Sequence, residues 1–187
     1  ILNMNNTNIT STDKETLTNY GGTVNITGGE IKNTDDGLDY TLYSYSNDTN
    51  HRGTVTIRNA TITKNSNNYA GISLYWYDTL KLYNTNVNGI ISTNQYSSLL
   101  YDGGTINGRI GNYGNMSINN VTLISSNYHG IKNQASLDKL VEVTNSNITL
   151  NGSYSELDCS GINNTGNINL ENTNITLNDA NDNAAIY

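Results

Sequence analysis

The sequence predicts an all-β chain: a single-stranded parallel β-helix, a solenoid of about eight coils of roughly 24 residues each. Three observations predict it. A short pattern (apolar, any, apolar, any, Asn or Gly, any, any, apolar) recurs eight times along the chain. Pro is absent, and Pro would delete a ladder donor from any central strand. Only 35% of the 187 residues are hydrophobic, and no segment stands out with a helical period. That is thin material for an ordinary globular core. A solenoid manages with it, because each coil buries a few inward side chains against its neighbours.

The elements follow in order within each copy. The first is a short strand with two apolar residues on one face, since side chains two apart point the same way. Its inner pairs are Leu2 and Met4, Val24 and Ile26, Val55 and Ile57, Leu80 and Leu82, Leu99 and Tyr101, Met116 and Ile118, Val141 and Val143, Ile168 and Leu170. A corner comes next, at Asn6, Gly28, Asn59, Asn84, Gly103, Asn120, Asn145 and Asn172. Asn and Gly tolerate the positive φ that a sharp corner requires. The second strand opens on Ile9, Ile31, Ile62, Val87, Ile106, Leu123, Ile148 and Ile175. A looser signal, a small residue before an apolar one, marks a third: Gly37-Leu38, Gly71-Ile72, Gly130-Ile131, Gly161-Ile162 and Ala185-Ile186. The chain then returns, often through Gly22, Gly53, Gly114 or Gly166. Spacing between copies varies from 17 to 31 residues while the core pattern keeps its length, so the variation belongs to loops. Stacked Asn amides at the corner can also hydrogen-bond from copy to copy, with Gly28 and Gly103 interrupting that ladder. The whole chain, 1–187, reads as one β-helix domain.

The copies VNITGGEIKN, VTIRNATITK, VEVTNSNITL and INLENTNITL resemble the repeats of right-handed parallel β-helix proteins. In particular they resemble the Asn- and Thr-rich adhesin-like surface proteins of gut methanogens and Firmicutes. The resemblance covers essentially the whole chain. It implies a right-handed helix, an extracellular cell-surface setting and a stalk or adhesin role. Pectate lyases and polygalacturonases share the architecture, so fold alone does not choose between binding and catalysis.

Charge narrows the partners. The net charge of −7 and the nine scattered Lys and Arg residues argue against a nucleic-acid groove. No run is long and apolar enough to cross a membrane, so the chain is expected not to be membrane-embedded. The lone Cys159 cannot form an internal disulfide and reads as a small buried residue. Asn-x-Ser/Thr acceptors for N-glycosylation begin at Asn5, Asn8, Asn25, Asn47, Asn59, Asn115, Asn120, Asn147, Asn151, Asn163 and Asn174. With 36 Asn and 40 Ser or Thr in the chain, random placement alone produces most of that number, so the acceptors permit a glycoprotein without requiring one.

The best catalytic candidates are Asn33-Thr34-Asp35-Asp36-Gly37, with Asp39 close behind and His129-Gly130 downstream. Paired carboxylates can serve as acid and base on a glycosidic bond. The run is similar to elements of polygalacturonases, but here the Asp pair is fused into one copy, His129 stands four copies further on, and the Arg-x-Lys element of that family is missing. Asp and Gly in turn positions explain the run equally well. The expectation is therefore no enzyme, with a polygalacturonase- or lyase-like enzyme as the alternative. No metal-binding repeat and no His or Cys pair at ligand spacing is present, and no cofactor is expected. Asp35, Asp36 and Asp39, or Asp179 and Asp182, could at most collect a weakly held calcium ion. His51 falls in a long polar loop and reads as solvated. An ice-binding Thr face is excluded by Lys32 and Ile124 in the column that would carry it.

The remaining functional signal is aromatic. There are 14 Tyr, one Trp and no Phe. They concentrate at Tyr40, Tyr43, Tyr45, Tyr69, Tyr75, Trp76, Tyr77, Tyr83 and Tyr96. Alternation sends Tyr43, Tyr45, Tyr75 and Tyr77 outward, with Tyr43 expected beside Tyr75 and Tyr45 beside Tyr77. An exposed Tyr shelf suits sugar rings, which present apolar faces and hydroxyls together; it also stabilises strands without a ligand. The expected partners are host or microbial glycans or surface proteins. Both ends match the repeat and carry no cap, so the chain reads as a segment of a longer solenoid. Otherwise its ends pair with copies of itself, as the subunit of an extracellular fibre.

Overall fold

The computed structural model describes residues 1–65, 70–126, 129–151, 160–178 and 184–187. Among them are nineteen β-strands, every pairing is parallel, and no helix occurs. Three ladders account for the pairings, an arrangement compatible with a solenoid.

The first ladder runs through β1 (Leu2–Asn5), β4 (Thr23–Thr27), β7 (Thr54–Arg58), β10 (Thr79–Thr93), β11 (Ser98–Asn112), β12 (Asn115–Ser125), β14 (Val141–Thr144) and β17 (Asn169–Glu171). Its register stacks Met4, Ile26, Ile57, Leu82, Tyr101, Ile118, Val143 and Leu170 in one line. That line is the column read from the sequence. The second ladder links β2 (Ile9–Ser11), β5 (Glu30–Asn33), β8 (Thr61–Lys64), the continuing β10 to β12, β15 (Asn147–Asn151) and β18 (Asn174–Asn178). It stacks Ile9, Ile31, Ile62, Val87, Ile106, Leu123, Ile148 and Ile175, again as expected. These columns form the interior, where Ile57, Ile62, Leu82, Val87, Ile106 and Val143 are wholly buried. Tyr101 takes an apolar place in that interior because its hydroxyl donates to the Thr85 carbonyl at 2.6 Å. Burial pushes its phenol above the ordinary tyrosine range.

The third ladder comprises β3 (Leu17–Tyr20), β6 (Leu42–Ser46), β9 (Ala70–Trp76), the ends of β10 and β11, β13 (Ile131–Asn133), β16 (Ser160–Asn164) and β19 (Ala184–Ile186). Its inner column is Leu17, Leu42, Ile72, Ile91, Ile110, Ile131, Ile162 and Ile186. One expectation is corrected here. Gly37-Leu38 does not open the strand; Leu38 is 70% exposed, and the inward residue is Leu42, behind the buried Thr41. Residues 34–40 fold instead as a loop tied by Asp35 within it and by Asn33 and Lys64 outside it. Asp35 accepts from Gly37 N at 2.9 Å, Asn33 accepts from Asp35 N at 2.8 Å, and Lys64 Nζ donates to the Asp35 carbonyl at 2.6 Å.

All eight corner residues adopt positive φ: Asn6, Asn59, Asn84, Asn120, Asn145 and Asn172 lie between 45° and 53°, Gly28 at 69° and Gly103 at 73°. The backbone requirement is therefore common to the column. The amide ladder is narrower than expected. Asn172 Nδ2 donates to Asn145 Oδ1 at 3.3 Å, but Asn145 donates sideways to Asn119 Oδ1 at 2.9 Å. A Cβ on Gly28 would lie 2.2 Å from Asn6 Oδ1, so the preceding Asn fills the space above this glycine. Asn145→Gly is expected to cost a few tenths of a kcal/mol to about 1 kcal/mol, and Asn145→Val clearly more, because a β-branched residue resists the left-handed region. Equal shifts of the two urea midpoints would remove the conformational role.

Candidate functional site

The third ladder positions the aromatic side chains. Leu17, Leu42 and Ile72 point inward, so Tyr20, Tyr45 and Tyr75, each three residues later, line up on the outer surface in direct register. Ring contacts make the group continuous. Tyr20 meets Tyr45 edge-on at 6.1 Å between centroids, and Tyr40, Tyr43 and Tyr45 stack at 5.3 and 6.1 Å. Tyr45 lies 5.8 Å from Tyr75, which contacts Trp76 at 5.9 Å. Trp76 and Tyr77 both stack on Tyr96, at 5.9 and 5.0 Å. Arg52 sits over Tyr77 at 5.7 Å from the ring centre. The expected four, Tyr43, Tyr45, Tyr75 and Tyr77, thus belong to one surface, joined by Tyr20, Tyr40, Trp76 and Tyr96.

The pairing inside that surface differs from expectation. Tyr45, not Tyr43, stands opposite Tyr75, and Tyr43 stands opposite Ser73. Tyr77 lies beyond the end of β9, where alternation no longer applies. The register is set by Leu42 pairing with Ile72, which places Tyr45 opposite Tyr75. The recurrence Leu17-x-x-Tyr20, Leu42-x-x-Tyr45, Ile72-x-x-Tyr75 carries the true register and would have added Tyr20. Tyr43 is partly shielded by its neighbours, and this desolvation raises its phenol above the ordinary tyrosine value, so it stays neutral.

Two features hold this surface in place. Trp76 has φ of 61°, a left-handed conformation that a bulky residue adopts only under constraint. The constraint stands two residues on. Asp78 is fully buried; its carboxylate accepts from Gly53 N at 2.7 Å and from the Ser44 hydroxyl. Asn19 Nδ2 donates to that Ser44 oxygen at 3.1 Å, while Asn19 Oδ1 accepts from Gly22 N at 3.2 Å. A Cβ on Gly53 would lie 2.6 Å from Asp78 Oδ2, which explains glycine at this return. The network anchors Asp78, and with it the turn carrying Trp76 and Tyr77.

Beside the rings lies a depression of about 320 Å³ lined by Tyr40, Tyr75, Ser73, Ser92, Gln95 and Tyr113, among others. A second of about 270 Å³ shares Ser92 and Tyr113 and continues to Arg109, His129 and Lys132. Ser73, Ser92, Gly111 and Lys132 form one outward column through the two depressions, and the first three are small. Asn94 also lines the first depression, and its buried Oδ1 has no hydrogen-bond partner among the described residues.

The other candidates are held in structural contacts. The Asp35 carboxylate is 3.8 Å from Lys64 Nζ, and the Lys64 side chain is fully buried. His129 Nδ1 accepts from Ser160 N at 3.1 Å and lies 3.0 Å from Ser160 Oγ, which makes the ring the tautomer with its proton on Nε2. Asp48 caps its own loop by accepting from Asn50 N and from the exposed His51, and the His51 hydrogen bond lowers its carboxyl below the usual range. No group of three or more His, Cys, Asp or Glu that could hold a metal occurs among the described residues. No helix among them is long and apolar enough to cross a membrane. Tyr69, Cys159, Asp179 and Asp182 lie outside the described residues. Of the glycosylation acceptors, Asn25 and Asn163 are half-buried and the other nine are exposed.

A buried amide ladder went unread in the sequence. Asn112, Asn133 and Asn164 stack on the third ladder, with Asn112 Nδ2 donating to Asn133 Oδ1 at 2.9 Å and Asn133 Nδ2 to Asn164 Oδ1 at 2.7 Å. Its signal was Ile-x-Asn, repeated at Ile110, Ile131 and Ile162. No family model, curated protein or solved structure matches the chain.

Proposed function

We propose that the chain is a right-handed parallel β-helix of about eight coils, part of an extracellular, cell-surface stalk or adhesin that contacts glycans through its aromatic surface. The observation that supports this reading is the unbroken run of eight aromatic rings from Tyr20 to Tyr96, on the outer face of the third ladder and the loops beside it. Interior packing does not need these rings there; Tyr75 and Tyr96 are 42% and 43% exposed. Aromatic faces stack on the C–H faces of sugars while phenol hydroxyls meet the sugar hydroxyls. Such a surface binds without reacting. Binding rather than hydrolysis also suits Asp35 and His129, since both are engaged by structural partners. The acidic balance of −7 suits a soluble exterior and disfavours nucleic acid.

The test is a glycan array read with the native chain and with a Tyr45→Ser, Tyr75→Ser, Tyr96→Ser triple variant. Binding is expected to fall at least tenfold while cooperative thermal unfolding persists, since each outward ring adds only about 0.2–1 kcal/mol to strand pairing. A signal that survives the triple change would place the contact elsewhere.

A further inference from the structure

We infer that Lys64 and Asn33 join in an intramolecular amide cross-link, formed with loss of ammonia and with Asp35 carrying the protons. The link ties β5 to β8, and it stands independently of the glycan reading above.

The placement begins in the second ladder. Asn33 and Lys64 are direct partners in the parallel pair of β5 and β8. Both turn inward: Asn33 has no exposed surface, and the Lys64 side chain has none. Lys64 is the only buried cation among the described residues. Its stem runs against two glycines; a Cβ on Gly71 would lie 3.1 Å from Lys64 Cβ, and one on Gly89 3.3 Å. The ammonium is poorly compensated for such a place. It donates to the Asp35 carbonyl at 2.6 Å and to Asn33 Oδ1 at 3.3 Å. The Asp35 carboxylate is 3.8 Å away, beyond hydrogen-bond reach. A buried charge held this way is costly, and an amide in its place is neutral.

Each part that amide formation needs is present. The nucleophile stands against the carboxamide it would attack, and holding reactants together removes much of the entropic barrier. Asn33 Oδ1 accepts from Asp35 N at 2.8 Å. A backbone N–H therefore faces the oxygen on which negative charge develops. Asn33 Nδ2 is held by the Lys14 and Tyr40 carbonyls at 2.8 and 3.2 Å, which fixes the amide. The Asp35 side chain is 26% exposed, so it stands between the buried amine and solvent, where a base and acid is useful.

The step balances. Asp35 takes a proton from the Lys64 ammonium, and the free amine attacks Asn33 Cγ. The oxyanion of the tetrahedral intermediate is held by the Asp35 N–H. Lys64 Nζ gives up a second proton, and both protons pass through Asp35 to Asn33 Nδ2. The Cγ–Nδ2 bond breaks, and that nitrogen leaves as an ammonium ion. One ammonium group and one carboxamide become one secondary amide and one ammonium ion, and nothing is oxidised or reduced.

The experiment is mass spectrometry of the intact folded chain, followed by trypsin and sequencing of the fragments. The expected mass is that of the sequence less one ammonia. Lys64 is expected to resist trypsin, and the peptide that carries it to be joined to the peptide that carries Asn33. After boiling in detergent the chain is expected to migrate faster than Lys64→Gln, because the link closes a loop between residues 31 apart and compacts the unfolded chain. Lys64→Gln and Asn33→Ala are expected at the full mass of their sequences. Asp35→Ala keeps both reacting groups and is expected to link at least about a hundredfold more slowly. A native chain at full mass, with Lys64 cut by trypsin, overturns the inference and leaves a buried ion pair only. Ammonia loss traced to any other Asn, such as a succinimide at Asn88-Gly89, overturns it equally. Linking of Asp35→Ala at the native rate overturns the role of Asp35.

Discussion

Val143→Asp is expected to destabilise the protein by about 4–5 kcal/mol, a large part of the 5–15 kcal/mol that a folded domain commonly has. Val143 is completely buried, stacked between Ile118 and Leu170 in the first ladder. A carboxylate there would have no cation and no donor, and would either stay charged at high cost or take up a proton. Neighbouring Glu142 shows how local the effect is: one residue away the side chain alternates outward, and an acid is native. Urea denaturation followed by far-UV circular dichroism checks the expectation. A midpoint unchanged from the native chain would mean that the inward register of β14 is wrong.

Asn133→Leu is expected to cost about 3 kcal/mol or more, although Leu is the more hydrophobic residue. The Asn133 amide is fully engaged. Its oxygen accepts from Asn112 Nδ2 at 2.9 Å, and its nitrogen donates to Asn164 Oδ1 at 2.7 Å and Asn167 O at 3.2 Å. Leu removes all of these and leaves an N–H of the buried Asn112 amide and the oxygen of the half-buried Asn164 amide unpaired, at roughly 1–3 kcal/mol for a buried group. A double-mutant cycle with Asn112→Ala measures the coupling. Strict additivity of the two changes would show that the stacked amides do not act together.

Some of this was legible without coordinates. The first two apolar columns and the corner depend on neighbours within eight residues. Period-2 alternation and an Asn-or-Gly position are local properties, so Met4 to Leu170, Ile9 to Ile175 and the eight positive φ values follow from the repeat. The third ladder was less legible because unequal loops enter it. Gly37-Leu38 looked like Gly71-Ile72, yet the loop from Thr34 to Tyr40 is organised by Asp35, Asn33 and the buried Lys64. Lys64 stands 29 residues from Asp35 in the chain, which no local pattern records.

The all-β class, the inward columns of two ladders, the corner conformation and the concentration of Tyr in one region are written in the order of the residues alone. These rest on backbone sterics and side-chain periodicity, which act over a few residues. Long-range contacts set the rest: Tyr45 faces Tyr75, Trp76 turns left-handed two residues before the buried Asp78, Asn112, Asn133 and Asn164 join in an amide ladder, and small side chains line two adjoining depressions. Those are contacts between copies of unequal length. Which residue meets which depends on how many residues each loop takes out of the ladder, and hydrogen bonds across copies set that number.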